Sequence, residues 1–379
     1  MNRRDFVSRA GLAGLGSLVR PSPVSASEPA IASSSMVVGC QRSPTDAPRL
    51  DYFKRHGVEH ICGYPPNDQD SASWSVESLS KLRELCEAHG VALDMVQFPT
   101  LSSASIDALS QQYAANPKGA AGDGKGIMLG REPDRQREID QVCTIIRNCA
   151  TVGIPAAKYN MNLLGVLRTA DTPGRGGSRY STWRLAEAKE DPPLTAAGRV
   201  PGDLVWERIT YFLERVVPVA EEHKVRLACH PHDPGVPAAG FRGVARVLGT
   251  VEGMKRFVEI KASPYHGLNL CLGSTAEMLQ HPATGIHEVI RYFGSRGKIF
   301  NIHFRNIRGK RDRFEEVFPD EGDMNMAQVL RTLHEVDYGY MVMPDHMPQH
   351  PDDPGQQQAF AFGYGYIKAL IQSAAAPPA

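Results

Sequence analysis

Val225-Arg226-Leu227-Ala228-Cys229-His230 runs through aliphatic residues into a histidine and is too short to be a helix of its own. It reads as a strand that carries a chemically capable side chain at its C-terminal end. An amphipathic stretch, Trp206–His223, precedes it. The same unit recurs along the chain. Apolar runs of strand length lie at Met36–Cys40, Val58–Cys62, Val91–Phe98, Ile154–Tyr159, Val225–His230, Leu268–Leu272, Ile299–Phe304 and Tyr340–Asp345, eight in all. Several are rich in Val, Ile or Leu, as parallel strands covered on both faces require. Helical pattern lies between them. Ile139, Val142, Cys143, Ile146 and Ala150 share one face, and Val76–His89 reads the same way. Gly90 and Gly153 stand where a helix should end just before a strand. Such alternation predicts an α/β fold with a parallel sheet, and eight units predict closure into a single (β/α)₈ TIM barrel. An open doubly wound sheet, the rival fold, usually carries a Gly-rich phosphate loop after its first strand, and the sequence has none.

The excess over a minimal barrel sits in two long loops, residues 99–133 after the third strand and 160–204 after the fourth. Both leave C-terminal strand ends, so both should overhang the mouth where barrels place their chemistry. Thr172-Pro173-Gly174-Arg175-Gly176-Gly177 is a candidate lid, with a solvated insertion as the alternative. The N-terminus reads differently. Arg3-Arg4, an apolar Gly-, Leu- and Ala-rich stretch and Val24-Ser25-Ala26 occur in the order of a twin-arginine signal. Residues 1–35 are therefore expected to be a Tat-type leader and residues 36–379 the barrel, with the protein expected in the periplasm or otherwise exported.

Composition narrows the partners. Lys plus Arg and Asp plus Glu both number 42, so the formal net charge is zero. A nucleic-acid binder needs a basic surplus to neutralise phosphates, so the expectation is a small-molecule partner and no nucleic acid. No apolar run reaches the roughly 20 residues of a membrane span, and no stable membrane insertion is expected. A homo-oligomer is compatible with the sequence. The seven cysteines are odd in number and have no C-x-x-C spacing, which suits small apolar core residues, Cys271 excepted.

Four candidate ligands share one context. His230, Cys271, His303 and Asp345 each end an apolar run, on strands five to eight. Barrel closure brings the C-terminal ends of adjacent strands to one mouth, so residues remote in sequence become neighbours there. Two imidazoles, a thiolate and a carboxylate make a divalent-metal site.

His230-Pro231-His232-Asp233-Pro234, Cys271-Leu272-Gly273-Ser274, His303-Phe304-Arg305-Asn306-Ile307-Arg308-Gly309 and Pro344-Asp345-His346 resemble, in order, the H-P-D-D-P, C-x-G-S, H-x-R-(N/D)-(V/I)-x-G and P-D-H motifs of mannonate dehydratases. Tyr159-Asn160 and Arg168-Thr169 resemble that family's Y-N and R-T. The resemblance implies a xylose-isomerase-like barrel and a Mn²⁺- or Fe²⁺-dependent lyase. Such an enzyme removes the C2 proton and C3 hydroxyl of D-mannonate to give 2-keto-3-deoxygluconate. It carries the metal ligands to His230, Cys271, His303 and Asp345, and the acid/base histidine to His346. Zn²⁺ is an alternative that a mixed N/S/O set holds tightly.

Arg305, two residues beyond His303, is the candidate clamp for the substrate carboxylate, since a guanidinium fork fits a carboxylate. Arg308 has a similar claim. Asn160 is a candidate for substrate hydroxyls. His232 and Asp233 are candidates to orient His230 or meet substrate. Two positions depart from the resemblance. Met343 stands where family members carry arginine, and Gln356 where they carry tyrosine, so Tyr364 or Tyr366 is a candidate substitute for the phenol. A metal-dependent isomerase or epimerase, which needs no carboxylate clamp, and a non-catalytic exported sugar-acid binder are the alternatives.

Overall fold

The computed structural model describes residues 36–65, 74–115 and 125–375. The expected leader, residues 1–35, lies outside the described residues. Eight parallel strands close a barrel: β1 (Val37–Cys40), β2 (His60–Gly63), β3 (Ala92–Gln97), β4 (Ala156–Asn160), β5 (Arg226–His230), β6 (His266–Cys271), β7 (Ile299–His303) and β8 (Met341–Met343). Each lies within one of the eight apolar runs, apart from offsets of up to two residues at their ends. Closure is made by β8 against β1, with Val37 opposite Met341 and Val38 opposite Val342.

Strand alternation divides each run between two environments. On β4, Ala157 and Tyr159 face the helical layer, where Tyr159 packs 5.6 Å from Phe212 of helix Gly202–His223. Ala156 faces the other way, into a small cluster with Cys62, Met95, Ala228, Phe300, Met341 and Met343. Lys158 and Asn160 follow Ala156 on that inward face. Helix Asp134–Val152 ends on Gly153 at φ 81°, and the turn before β3 uses Gly90 at φ 66°, both in the left-handed region that glycine enters without steric cost. No helix among the described residues is long and apolar enough to cross a membrane.

An antiparallel sheet was not foreseen from sequence. The chain after β7 forms a hairpin, Asn306–Lys310 with Arg313–Val317, and its second strand pairs with Thr182–Arg184 from the long loop after β4. The Gly-rich stretch proposed as a lid lies in a separate two-stranded ribbon, and its Arg175–Gly177 segment is exposed. Thr172–Pro173 pairs with Arg179–Tyr180, and Trp183 is buried 5.7 Å from Phe241.

Candidate metal centre

Register does the positioning. Asn160 stands opposite His230, His303 opposite Cys271, and Met343 opposite His303. Asp345 lies two residues beyond Met343. One donor atom from each of His230, Cys271, His303 and Asp345 falls within 4.8 Å of the others, and all four residues are buried. The structure thus brings together the quartet expected from the strand ends.

Protonation suits the arrangement. Burial, with His303 and Lys158 nearby, pushes His230 well below its ordinary value. Burial brings His303 down to about 4 despite the Asp345 carboxylate. Burial alone would raise Asp345, but His303, His346 and Arg305 hold it well below the carboxylate range. Burial raises the Cys271 thiol. At neutral pH both imidazoles are therefore neutral, the carboxylate is ionised and the thiol keeps its proton. Cys271 Sγ donates toward Asp345 Oδ2 at 3.7 Å, while the Ser274 N–H donates to the sulfur at 3.4 Å.

The ring nitrogens are sorted by their partners. His230 Nδ1–H donates to the Pro231 carbonyl at 2.6 Å, which leaves Nε2 as its donor atom. His303 Nε2 lies 2.9 Å from Gln41 Oε1 and donates to it. His303 Nδ1 is buried without a hydrogen bond, 3.3 Å from Asp345 Oδ1. An orphaned buried imidazole nitrogen aimed at a carboxylate and a thiol is what a cation would satisfy. These residues fit a divalent ion.

Behind the quartet lies a dense ion-pair network. Arg305, with its side chain fully buried, reaches Asp233 at 2.8 Å, Glu277 at 3.0 Å, Glu316 at 2.8 Å and Ser274 Oγ at 2.7 Å. Arg168 reaches Asp233 at 2.6 Å and also pairs with Glu316. Asp233, Glu316 and His346 also bring donor atoms within 4.8 Å of one another, but the two guanidiniums already neutralise these carboxylates. Arg305 as a substrate clamp needs correcting, because its fork is saturated by the protein's own carboxylates. It organises the mouth instead of facing the ligand. Arg308 is also displaced from its expected place. It is half-exposed, pairs with Glu315 and Glu321, and lines a groove of about 780 Å³ that shares no lining residue with the metal cleft.

His346 is better placed. Its side chain is 40% exposed and its Nδ1 lies 3.0 Å from Glu316 Oε1. Glu316 can only accept, so Nδ1 carries the proton and Nε2 is left to the cleft that His346 lines. Burial works against its charge, but the Glu316 and Asp345 carboxylates outweigh it and push His346 up to about 9. His232 touches the inner cleft, yet both its nitrogens are committed: Nε2–H donates to the Met161 carbonyl at 2.7 Å and Nδ1 accepts from Leu248 N–H at 3.2 Å. It braces the turn after β5.

The cleft has an inner part of about 130 Å³ around His230, His303 and Asp345, and an outer part of about 390 Å³ reaching Arg179, Gln349 and Gln356. Asn160 lines the inner part as expected. Gln41, Tyr64, Gln97 and Lys158 line it too, and sequence reasoning missed them. Lys158 had a legible signal, a lysine at inward-facing alternation in a strand whose end bears Asn160. Gln41, Tyr64 and Gln97 had none. Met343 is fully buried beside Asn301 and leaves no cation at that strand end. Tyr364 is bound to Cys40 Sγ at 2.8 Å, and Tyr366 packs on Phe304 and Phe362, so neither lines the cleft.

Fold and donors together place the chain among barrel proteins that work with a divalent ion. Solved structures agree on the fold. Mannonate dehydratase from Streptococcus suis serotype 2 superposes with a TM-score of 0.72 at 22% identity, over 90% of this chain and 94% of that one. A xylose isomerase domain protein from Planctomyces limnophilus gives 0.55 at 17% identity, over 90% and 99%. The family described as D-mannonate dehydratase (UxuA) matches residues 184–375, just over half of the sequence, and the chain belongs to that family. A mannonate dehydratase of Thermotoga neapolitana is 29% identical over 327 residues, 76% of this chain and 82% of its own length.

The geometry of the donors and their support sets three expectations. Metal binding must expel the Cys271 proton and no imidazole proton, so Mn²⁺ titrated into metal-free protein near pH 7 should release about one proton, measured by calorimetry in buffers of different ionisation enthalpy. Cys271→Ser should weaken metal binding with the fold retained, and unchanged metal affinity there would remove the sulfur from the site. Gly273 lets Arg305 pass close beneath the turn after β6. A methyl at 273 would collide with Arg305 Nε and stand 2.9 Å from its Cγ. Gly273→Ala should therefore destabilise the chain by about 1–3 kcal/mol in urea unfolding.

Proposed function

We infer that the chain is a metal-dependent dehydratase of a mannonate-type sugar acid, and that D-mannonate gives 2-keto-3-deoxygluconate through loss of the C2 proton and the C3 hydroxyl. The observation that carries the reading is the His230, Cys271, His303 and Asp345 quartet, within 4.8 Å at the mouth of a barrel of this family. When bound there, a divalent ion supplies Lewis-acid polarisation of the substrate carboxylate and the adjoining hydroxyl. Mn²⁺ or Fe²⁺ is the proposed ion. His346, held in the charged form by Glu316, donates a proton to the departing C3 oxygen, which leaves as water, while the C2 proton passes to solvent in the cleft, from which the imidazole is recharged. Asn160 hydrogen-bonds a substrate hydroxyl from the β4 end. The buried Arg305 network keeps His346 and Asp345 in place during the reaction.

The test is Mn²⁺-loaded protein incubated with a panel of aldonates. A 2-keto-3-deoxy product from D-mannonate is the expected result. Solvent deuterium entering C2 without water loss would replace the reading with an isomerase or epimerase, and tight metal binding without any reaction would replace it with a binder. His346→Asn should keep its metal and lose about 10²–10⁴-fold in kcat, measured with the same product assay.

Export belongs to the same reading. Arg3-Arg4 and the small residues at Val24-Ser25-Ala26 support secretion of the folded, metal-loaded chain. N-terminal sequencing of the secreted protein should begin at Ser27, and an intact Met1 confined to the cytoplasm would count against it.

A further inference from the structure

Lys158 stands apart from the other cations of the mouth. Arg168 and Arg305 are buried among carboxylates. Lys158 is 5% exposed and lines the inner cleft, and among the described residues its ammonium forms no ion pair with a carboxylate. Nζ donates to the neutral Gln41 Oε1 at 2.6 Å. An ammonium removed from water and given only an amide is costly, and proteins keep such a group where something else supplies the charge.

Its neighbours say where that charge would sit. The same Gln41 oxygen accepts from His303 Nε2 at 2.9 Å, and Gln41 Nε2 donates to Asp345 Oδ1 at 3.2 Å. The ammonium is thus one side chain away from two of the metal donors. It shares the inner cleft with His230, His303, Asp345 and Asn160. Arg305 cannot serve an incoming anion, since its fork is filled. Arg179, at the outer cleft, is exposed and hydrogen-bonded to Gln349 at 3.2 Å, and His346 is paired with Glu316. In a sugar acid the carboxylate is bonded to C2, so it must lie where the reacting carbons lie, beside the metal donors. The remaining hydroxyls then extend outward toward Arg179 and Gln349.

We propose that Lys158 is the carboxylate-binding residue of this site: its ammonium pairs with the C1 carboxylate of the substrate and stabilises the negative charge that spreads onto that carboxylate as the C2 proton leaves. This rests on the sugar-acid reading above and adds to it a recognition group. A planar guanidinium would grip both carboxylate oxygens, whereas an ammonium meets the anion as a point charge. Lys158 therefore selects for the anion, and the metal and Asn160 orient it.

The test uses Mn²⁺-loaded wild type, Lys158→Met and Lys158→Arg. Methionine keeps an unbranched stem of similar bulk in the buried position. Calorimetry reads the affinity for 2-keto-3-deoxygluconate, which carries the carboxylate, and for mannitol, which does not. Electron paramagnetic resonance of free Mn²⁺ reads metal affinity. Lys158→Met should weaken the anion about 10–100-fold. Its metal affinity should equal or exceed that of wild type, because a positive charge has left the neighbourhood of the ion, and any mannitol affinity should not change. Lys158→Arg should restore part of the anion affinity. Unchanged anion binding in Lys158→Met would overturn the proposal alone. A parallel fall in anion, metal and mannitol binding would also overturn it and leave Lys158 as a prop for Gln41. Wild type that binds no sugar acid at all would overturn the sugar-acid reading and this inference with it.

Discussion

A single guanidinium ties together the loops that follow the ligand-bearing strands. Arg305, just past β7, holds Asp233 from the turn after β5, Ser274 and Glu277 from the segment after β6, and Glu316 from the capping hairpin. It also lies 3.5 Å from Asp345 Oδ2 beyond β8. Every metal donor is therefore within three residues of a contact made by this one side chain, or makes the contact itself. The barrel sets the height of the donors through strand register. The guanidinium sets how their loops lean toward each other.

Such a hub is expensive to bury. Ions in a low-dielectric interior repay their lost hydration only when charges match and hydrogen bonds are complete. Arg168 and Arg305 face Asp233, Glu277 and Glu316, three carboxylates against two cations. The mismatch is relieved at Glu277, which burial and the nearby Asp233 charge push up to about 8, so that it carries a proton at neutral pH. Asp233 and Glu316 are held in the ionised form by the two arginines in spite of their burial. His346 then shares Glu316 with Arg305, whose Nη1 stands 2.7 Å from the imidazole Nδ1. Two cationic groups at that separation persist only because both contact the same Glu316 carboxylate oxygen, which makes the proton on His346 a property of the whole network.

The fold was legible because each strand is an apolar run of the right length and each ligand is the polar residue at the end of such a run. His230, Cys271, His303 and Asp345 needed no contact information beyond the closure of the barrel. Arg305 was placed correctly on its strand side but misread in role, since its carboxylate partners Asp233, Glu277, Glu316 and Asp345 come from four separate segments whose convergence no local pattern announces. His232 was drawn toward the site by adjacency to His230, whereas its hydrogen bonds to Met161 and Leu248 depend on a loop path that sequence does not display. Gln41 has no distinguishing neighbours in sequence. It matters because barrel closure leaves only β8 between β1 and β7, which brings Gln41 beside His303 and Asp345. The capping sheet escaped notice for a related reason: its strands, Thr182–Arg184 and the 306–317 hairpin, are short and polar on one side, and they pair across more than a hundred residues.

That pairing has a bearing on how such a mouth can change. Strand Arg313–Val317 has one neighbour in its own hairpin and its other neighbour in the loop after β4. Transplanting either insertion alone into another barrel would leave a naked edge of unmatched amide and carbonyl groups beside the cleft, open to pairing with a foreign chain. The two insertions therefore behave as one exchangeable part, and shape at the outer cleft would have to be inherited or redesigned as a pair.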